Sequence, residues 1–206
     1  MGIKYFFGWM RKTFSQHIKT VKMTEDLKQT VDIDHFLVDM NGIFHYCCQK
    51  TYQYGSFKTR SLYKKTSSLQ KQKQLFEMVG MYIDKLITFV KPNKTVVLAI
   101  DGVAPSSKQI QQRSRRYRSA KENDDGQFDS NAITPGTVFL DHLSKYLDWF
   151  IRKKVSEKAW GDIQIIFSSE KTPGEGEHKL VQYVRNHGDE KDNYMIQGMD
   201  ADLVID

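Results

Sequence analysis

The sequence is poor in cysteine: it has two, and they are the neighbours Cys47 and Cys48. Adjacent cysteines rarely pair with each other, so we expect no disulfide framework and a reducing compartment. No apolar run approaches the roughly 18 residues of a membrane span. The first residues also lack the charged, apolar and cleavage regions of a signal peptide. These absences predict an intracellular protein outside the membrane, cytoplasmic or, as the alternative, nuclear.

Positive charge is in excess. Lys and Arg number 31 against 25 Asp and Glu, which gives a net charge of +6. Such an excess favours a polyanionic partner, with nucleic acid first and an anionic membrane surface second. The chain of 206 residues, 39% of them hydrophobic, is long enough for one domain with a complete core.

Short apolar runs alternate with helical patterns along the chain. The predicted strands are residues 35–39, 95–100, 162–167 and 194–197. The predicted helices are residues 75–90, 107–121, 137–154 and 179–185. This alternation predicts an α/β domain around a largely parallel sheet, with a basic, polar surface insertion at about 51–74. The first fourteen residues also have helical spacing, and we expect their apolar face to pack in the core.

Acidic residues follow each predicted strand. The set is Asp39, Asp101, Glu175, Glu177, Asp200 and Asp202. Carboxyl ends of parallel strands meet at one crevice, and residues two apart in an extended segment point the same way. Carboxylates at close range repel unless cations lie between them, and their oxygens suit Mg²⁺ or Mn²⁺. The set predicts a two-ion site for phosphodiester displacement; solvated loop acids or helix caps are the alternative.

A basic face is predicted on the helix at 107–121. Lys108, Gln112, Arg115 and Arg116 fall at i, i+4, i+7 and i+8. This helix starts a few residues beyond Asp101, so the face should lie near the crevice. Guanidinium forks and an ammonium are suited to the oxygens of a terminal phosphate. The alternative is a solvated basic surface.

Six motifs of the chain resemble, in the same order, those of the Xrn-type 5′→3′ exoribonucleases. They are LVDMNGIFH at 37–45, AIDGVAP at 99–105, QQRSRR at 111–116, ITPGT at 133–137, PGEGEH at 173–178 and GMDAD at 198–202. The resemblance covers nearly the whole chain. It implies a PIN-like, flap-nuclease-like α/β fold with a largely parallel central sheet flanked by helices.

The resemblance also implies roles for individual residues. The six carboxylates would hold two Mg²⁺ or Mn²⁺ ions, directly or through water, and the basic face would hold a 5′ phosphate. His45 would stack on the leading base, and Asn41 would support the site by hydrogen bonds. From the residues alone, His45 in an apolar helix is more typical of a packed core histidine. The implied activity is hydrolysis of single-stranded RNA from a 5′-monophosphate end to nucleoside 5′-monophosphates, without a protein nucleophile.

Two other functions fit parts of the sequence. A structure-specific flap endonuclease acting on DNA would use similar acids but needs no terminal-phosphate pocket. A catalytically inert RNA-binding remnant of a nuclease is the second alternative. The chain ends four residues after Asp202, before the further metal-binding Asp and the aromatic partner of His45 that the family carries. We therefore expect residues 1–206 to be an incomplete N-terminal nuclease domain that binds RNA and metal but hydrolyses RNA slowly or not at all.

Overall fold

A four-stranded parallel sheet forms the centre of the protein. The computed structural model describes residues 5–19, 31–57, 68–122 and 128–199, without the side chains of Arg115 and residues 118–122. The strands are β1 His35–Asp39, β2 Thr95–Ala99, β3 Gln164–Ser168 and β4 Tyr194–Gln197. Their spatial order is β3-β2-β1-β4, and every pairing is parallel. The predicted α/β class with a parallel sheet is confirmed.

The sequences of the strands explain their positions in the sheet. The two central strands read HFLVD and TVVLA, and nearly all of their residues are buried. Continuous apolar runs of this kind are typical of parallel strands that are covered on both faces. The edge strands QIIFS and YMIQ are only partly buried.

Helices cover both faces of the sheet. In the described residues they are α1 Phe6–Thr13, α2 Met40–Tyr52, α3 Ser68–Val90, α4 Ser106–Glu122, α5 Val138–Ser156 and α6 Gly176–His187. The main core lies between one face and the apolar sides of α2, α3 and α5. A smaller cluster under α6, which includes Leu37, Val97 and Leu180, covers the other face. No described helix combines the length and apolarity needed to cross a bilayer.

The predicted insertion at 51–74 differs from the structure at both of its ends. Helix α2 continues to Tyr52, which is buried and stacks on Phe128 with 4.4 Å between ring centroids. Helix α3 begins at Ser68, seven residues before the predicted start, and its first turn is exposed. The middle of the insertion, residues 58–67, lies outside the described residues.

The prediction that the first helix packs into the core is wrong for its described residues. Helix α1 contains no buried residue, and Phe7 and Trp9 are 52% and 54% exposed. Its aromatic rings pack on one another and on Phe14, which follows the helix. The centroid of the Trp9 ring lies 5.8 Å from that of Phe6 and 5.7 Å from that of Phe14.

Candidate active site

Two predicted acids lie side by side where the central strands end. Asp39 is the last residue of β1 and caps α2, since its Oδ1 accepts a hydrogen bond from the Asn41 backbone N–H at 3.2 Å. Asp101 follows β2 by two residues. Because β1 and β2 are parallel neighbours, the two carboxylates share one edge of the sheet.

The Asp101 carboxylate is held from two sides. Its Oδ2 accepts from the Asn41 side-chain amide at 2.5 Å, and its Oδ1 accepts from the Gly176 backbone at 2.6 Å. The Asp101 backbone N–H donates in turn to Asn41 Oδ1 at 3.2 Å. Burial raises the pKa of the Asp101 carboxyl, and the negative charge of Glu175 raises it further. Asn41 and Gly176 therefore fix the orientation of a half-buried acid that has a second carboxylate nearby.

The Glu175 and Glu177 side chains converge at the start of a helix. We predicted an extended segment, but Glu175 is the N-cap of α6, and Gly176 and Glu177 form its first turn. Glu175, Glu177 and His178 each offer a ligand atom, and these atoms lie within 4.8 Å of one another. His178 had no predicted role, although it directly follows Glu177 in the PGEGEH motif.

Glycine lets this acidic turn approach Asp101. The Gly102 N–H donates to Gly174 O at 2.8 Å, and the Gly174 N–H donates to Val103 O at 2.9 Å. A Cβ on Gly102 would lie 1.9 Å from the Thr172 carbonyl oxygen, and one on Gly176 would lie 2.9 Å from Asp39 Oδ1. Larger residues at these positions would separate the two acid-bearing segments.

The donor set fits a divalent cation. Asp39 Oδ1 and Asp101 Oδ1 lie next to Gly176, the residue between Glu175 and Glu177, and burial already disfavours ionised Asp101. A cation would relieve this repulsion, and carboxylate oxygens suit Mg²⁺ and Mn²⁺. The His178 imidazole is a ligand type that transition ions also accept. Asp200 and Asp202 lie outside the described residues.

The basic face of α4 meets the acids at a cavity of about 250 Å³. Gln112 and Arg116 line it together with Asn41, His45 and Asp101. His45 is half-buried, so its ring is not enclosed in the core. Arg115 was also predicted to contact the phosphate, but its side chain lies outside the described part of the structure. The cavity thus joins α4 to the edge of the sheet where Asp39, Asp101, Glu175 and Glu177 lie, which we call the acid edge.

Another part of the cavity lining, here called the second wall, consists of residues for which the sequence analysis predicted no role. They are Ser130, Asn131, Ile133, Thr134 and Pro135. Local hydrogen bonds hold the shape of this wall. The Asn131 backbone N–H donates to Asp129 Oδ1 at 2.9 Å, and Thr137 Oγ1 donates to Thr134 O at 2.9 Å. The ITPGT motif was the available signal for this wall.

Lys108 contacts an acid as well as sharing the basic face. Its Nζ lies 2.9 Å from Glu175 Oε2. The hydrogen bond to Glu175 raises the pKa of the Lys108 ammonium. The residue predicted for the phosphate pocket therefore pairs with a predicted metal ligand.

Lys179 bridges the segments that carry the acids. From α6, its Nζ donates to Ile100 O at 2.7 Å and to Ser169 O at 3.0 Å. These carbonyls follow the ends of β2 and β3, so one ammonium holds two strand ends and α6 together. Burial lowers the pKa of Lys179, and the negative charge of Asp101 opposes this.

Lys179→Met should destabilise the fold, because two carbonyls at the strand ends would lose their donor. An unsatisfied buried polar group costs about 1–3 kcal/mol, and we expect the loss in free energy of unfolding to fall in this range. Urea denaturation would measure it. Lys145→Met is the matched control, since its ion pair with Asp141 is solvent-accessible and should contribute little to stability. Equal stability of the two variants would contradict the bridging role.

The fold and the acid edge beside a basic helix define a PIN-like, flap-nuclease-like α/β domain. Residues 1–205 match the family described as XRN 5'-3' exonuclease N-terminus, and the chain belongs to that family. It is 35% identical over 228 residues to 5'-3' exoribonuclease 1 of Schizosaccharomyces pombe, and 33% identical over 226 residues to the human protein of that name. It is 37% identical over 226 residues to the Saccharomyces cerevisiae protein of that name.

Each of these matches covers the whole chain but only part of the relative. The chain spans 16% of the S. pombe protein, 12% of the human protein and 14% of the S. cerevisiae protein. It therefore corresponds to a small fraction of the length of these curated relatives.

Proposed function

We propose that the chain is the acid-bearing part of a metal-dependent 5′→3′ exoribonuclease. The substrate is single-stranded RNA with a 5′ monophosphate, and the products are nucleoside 5′-monophosphates. The observation that carries this proposal is one cavity lined by both Asp101 and Arg116. A terminal phosphate bound by Arg116 leaves the first phosphodiester beside the acids. The 5'-3' exoribonuclease names of the relatives support the same direction of attack.

Each group at the site has a task in this proposal. Arg116 and Gln112 bind the terminal phosphate, and the half-buried His45 ring offers a surface on which the leading base stacks. Asn41 keeps the Asp101 carboxylate oriented through its hydrogen bond at 2.5 Å. The carboxylates of the acid edge hold Mg²⁺ or Mn²⁺, with two ions expected. Such a pair would supply stabilisation of the attacking and leaving oxygens.

RNA with a 5′ monophosphate should bind more tightly than the same RNA with a 5′ hydroxyl. A hydrogen bond to a charged group contributes about 1.5–3 kcal/mol, so the loss of one contact should weaken binding by roughly ten- to a hundredfold. Arg116→Ala should remove most of this preference, because Arg116 lines the cavity. Fluorescence anisotropy with the two labelled RNAs, in EDTA to prevent hydrolysis, would measure it.

The matched control is Arg113→Ala, which removes an exposed guanidinium from the same helix. It should weaken both RNAs by the same small factor, since only the general electrostatic attraction changes. A wild-type protein that binds the two ends equally would refute the terminal-phosphate pocket. Preference for a flapped DNA over the phosphorylated RNA would favour the endonuclease alternative.

A further inference from the structure

Lys108 lies between the two halves of the site. It is the third residue of α4, and Gln112 and Arg116 follow it on the same face. Gln112 and Arg116 line the cavity, whereas the Lys108 ammonium pairs with Glu175 at 2.9 Å. One turn of helix, about 6 Å along its axis, separates Lys108 from Gln112. A lysine side chain with four methylenes can span that distance by changing rotamers.

Glu175 requires a cation. It is 7% exposed, its charge acts on the half-buried Asp101, and it shares a ligand cluster with Glu177. A buried carboxylate without a partner is costly, and Lys108 supplies both the charge and a hydrogen bond. The ammonium thus supplies the positive charge that this buried carboxylate needs.

A divalent cation on Glu175 would replace this arrangement. By binding Glu175 it would neutralise the carboxylate with which the ammonium pairs, and it would repel the ammonium at short range. The Lys108 side chain is 30% exposed, so a rotamer change can carry its ammonium along α4 towards Gln112 and Arg116, which line the cavity. There a terminal phosphate would be its natural partner.

We propose that Lys108 is an exchangeable counter-ion that pairs with Glu175 in the metal-free protein and moves to the terminal phosphate when a divalent cation binds Glu175. This inference rests on the proposed function, because it needs both a cation at the acids and a phosphate in the cavity. Lys108 is then a positioning residue that couples the two binding events.

The exchange has a thermodynamic consequence. If the cation releases Lys108 for the phosphate, the cation strengthens phosphate binding, and the phosphate strengthens cation binding by the same factor. Direct attraction between cation and phosphate would also give positive coupling. The two origins differ in their dependence on Lys108: direct attraction survives its removal, whereas exchange does not.

Adenosine 5′-monophosphate is a suitable probe because it has the terminal phosphate but no phosphodiester to cleave. Its affinity is measured by isothermal titration calorimetry with and without saturating Mn²⁺, and adenosine serves as the reference ligand. The coupling factor is the affinity for adenosine 5′-monophosphate with Mn²⁺ divided by its affinity without Mn²⁺. In the wild-type protein we expect Mn²⁺ to strengthen binding of the nucleotide at least tenfold.

Lys108→Met should lower the coupling factor by roughly fivefold or more, and it should strengthen Mn²⁺ binding in the absence of nucleotide, because the competitor for Glu175 is gone. Arg116→Met is the matched control on the same helix face. It should weaken nucleotide binding by the same factor with and without Mn²⁺. Lys108→Gln keeps a hydrogen-bond donor for Glu175 without the charge, so it should show the same loss of coupling even if Lys108→Met folds poorly.

An unchanged coupling factor in Lys108→Gln, with nucleotide binding weakened equally in both conditions, would overturn the exchange and leave the proposed function intact. A wild-type protein that binds adenosine 5′-monophosphate no better than adenosine would overturn the phosphate pocket itself, and the exchange with it. The affinities of the wild-type protein therefore separate the two failures.

Discussion

The double variant Asp101→Asn, Glu175→Gln should lose the stabilisation that Mn²⁺ gives to the wild-type protein. An ion that binds only the folded state at 100 times its Kd raises the free energy of unfolding by about 2.7 kcal/mol. The two substitutions remove two carboxylates from the acid edge, one on each of the two loops that Gly102 and Gly174 join. Thermal unfolding with and without Mn²⁺ would measure the change.

The comparison must be made within each variant, because the substitutions also alter the metal-free protein. Asp101 accepts from both Asn41 and Gly176, and an asparagine has one acceptor oxygen for these two donors. Asp141→Asn on α5 is the control, since this carboxylate pairs with Lys145 and Lys171. Its Mn²⁺ stabilisation should equal that of the wild-type protein. Retention of the full Mn²⁺ effect in the double variant would place the ion elsewhere.

The sequence predicted the sheet well because its strands are short apolar runs between polar residues. The first and last predicted strands match β1 and β4 at both ends, and the third begins two residues later than predicted. The start of α3 was missed for the opposite reason. Its first turns are rich in Ser, Gln and Lys, and the apolar period begins only at Leu75, so the exposed turns resembled a loop.

The acid edge could be predicted in part. Parallel topology alone places Asp39 and Asp101 at the same edge of the sheet. The approach of Glu175 could not be predicted this way, because it depends on backbone contacts between segments about 70 residues apart. The Glu175 and Glu177 pair also adopts a helix start rather than an extended segment, and a Gly between two Glu residues is a weak helix signal.

The partner of Lys108 was also beyond prediction from the sequence. Helical spacing predicted Lys108 on one face with Gln112 and Arg116, and these residues do lie on one helix, but spacing carries no information about what that face meets. The pairing with Glu175 follows from the tertiary burial of that carboxylate. Helical periodicity predicts which side chains share a face of one helix. Tertiary packing decides which charged side chains of other elements they meet.

Gly102→Ala should destabilise the protein and weaken Mn²⁺ binding, although it changes no predicted ligand. The new Cβ would lie 1.9 Å from the Thr172 carbonyl oxygen, and a backbone atom cannot avoid it by changing a rotamer. Overpacking of this kind costs about 1–3 kcal/mol or more. The loop would have to move away, which breaks the hydrogen bond from Gly102 N–H to Gly174 O and separates Glu175 from Asp101.

The two effects can be measured in one experiment, thermal unfolding with and without Mn²⁺. Gly8→Ala is the control, because a Cβ at this position in α1 meets no atom within 4 Å. Its stability should equal or slightly exceed that of the wild-type protein, since alanine is favoured over glycine in a helix by about 1 kcal/mol. Its Mn²⁺ stabilisation should not change. If Gly102→Ala behaved like Gly8→Ala in both measurements, the two acid-bearing loops would not be in the contact that brings Glu175 to Asp101, and the ion site would have to be built without it.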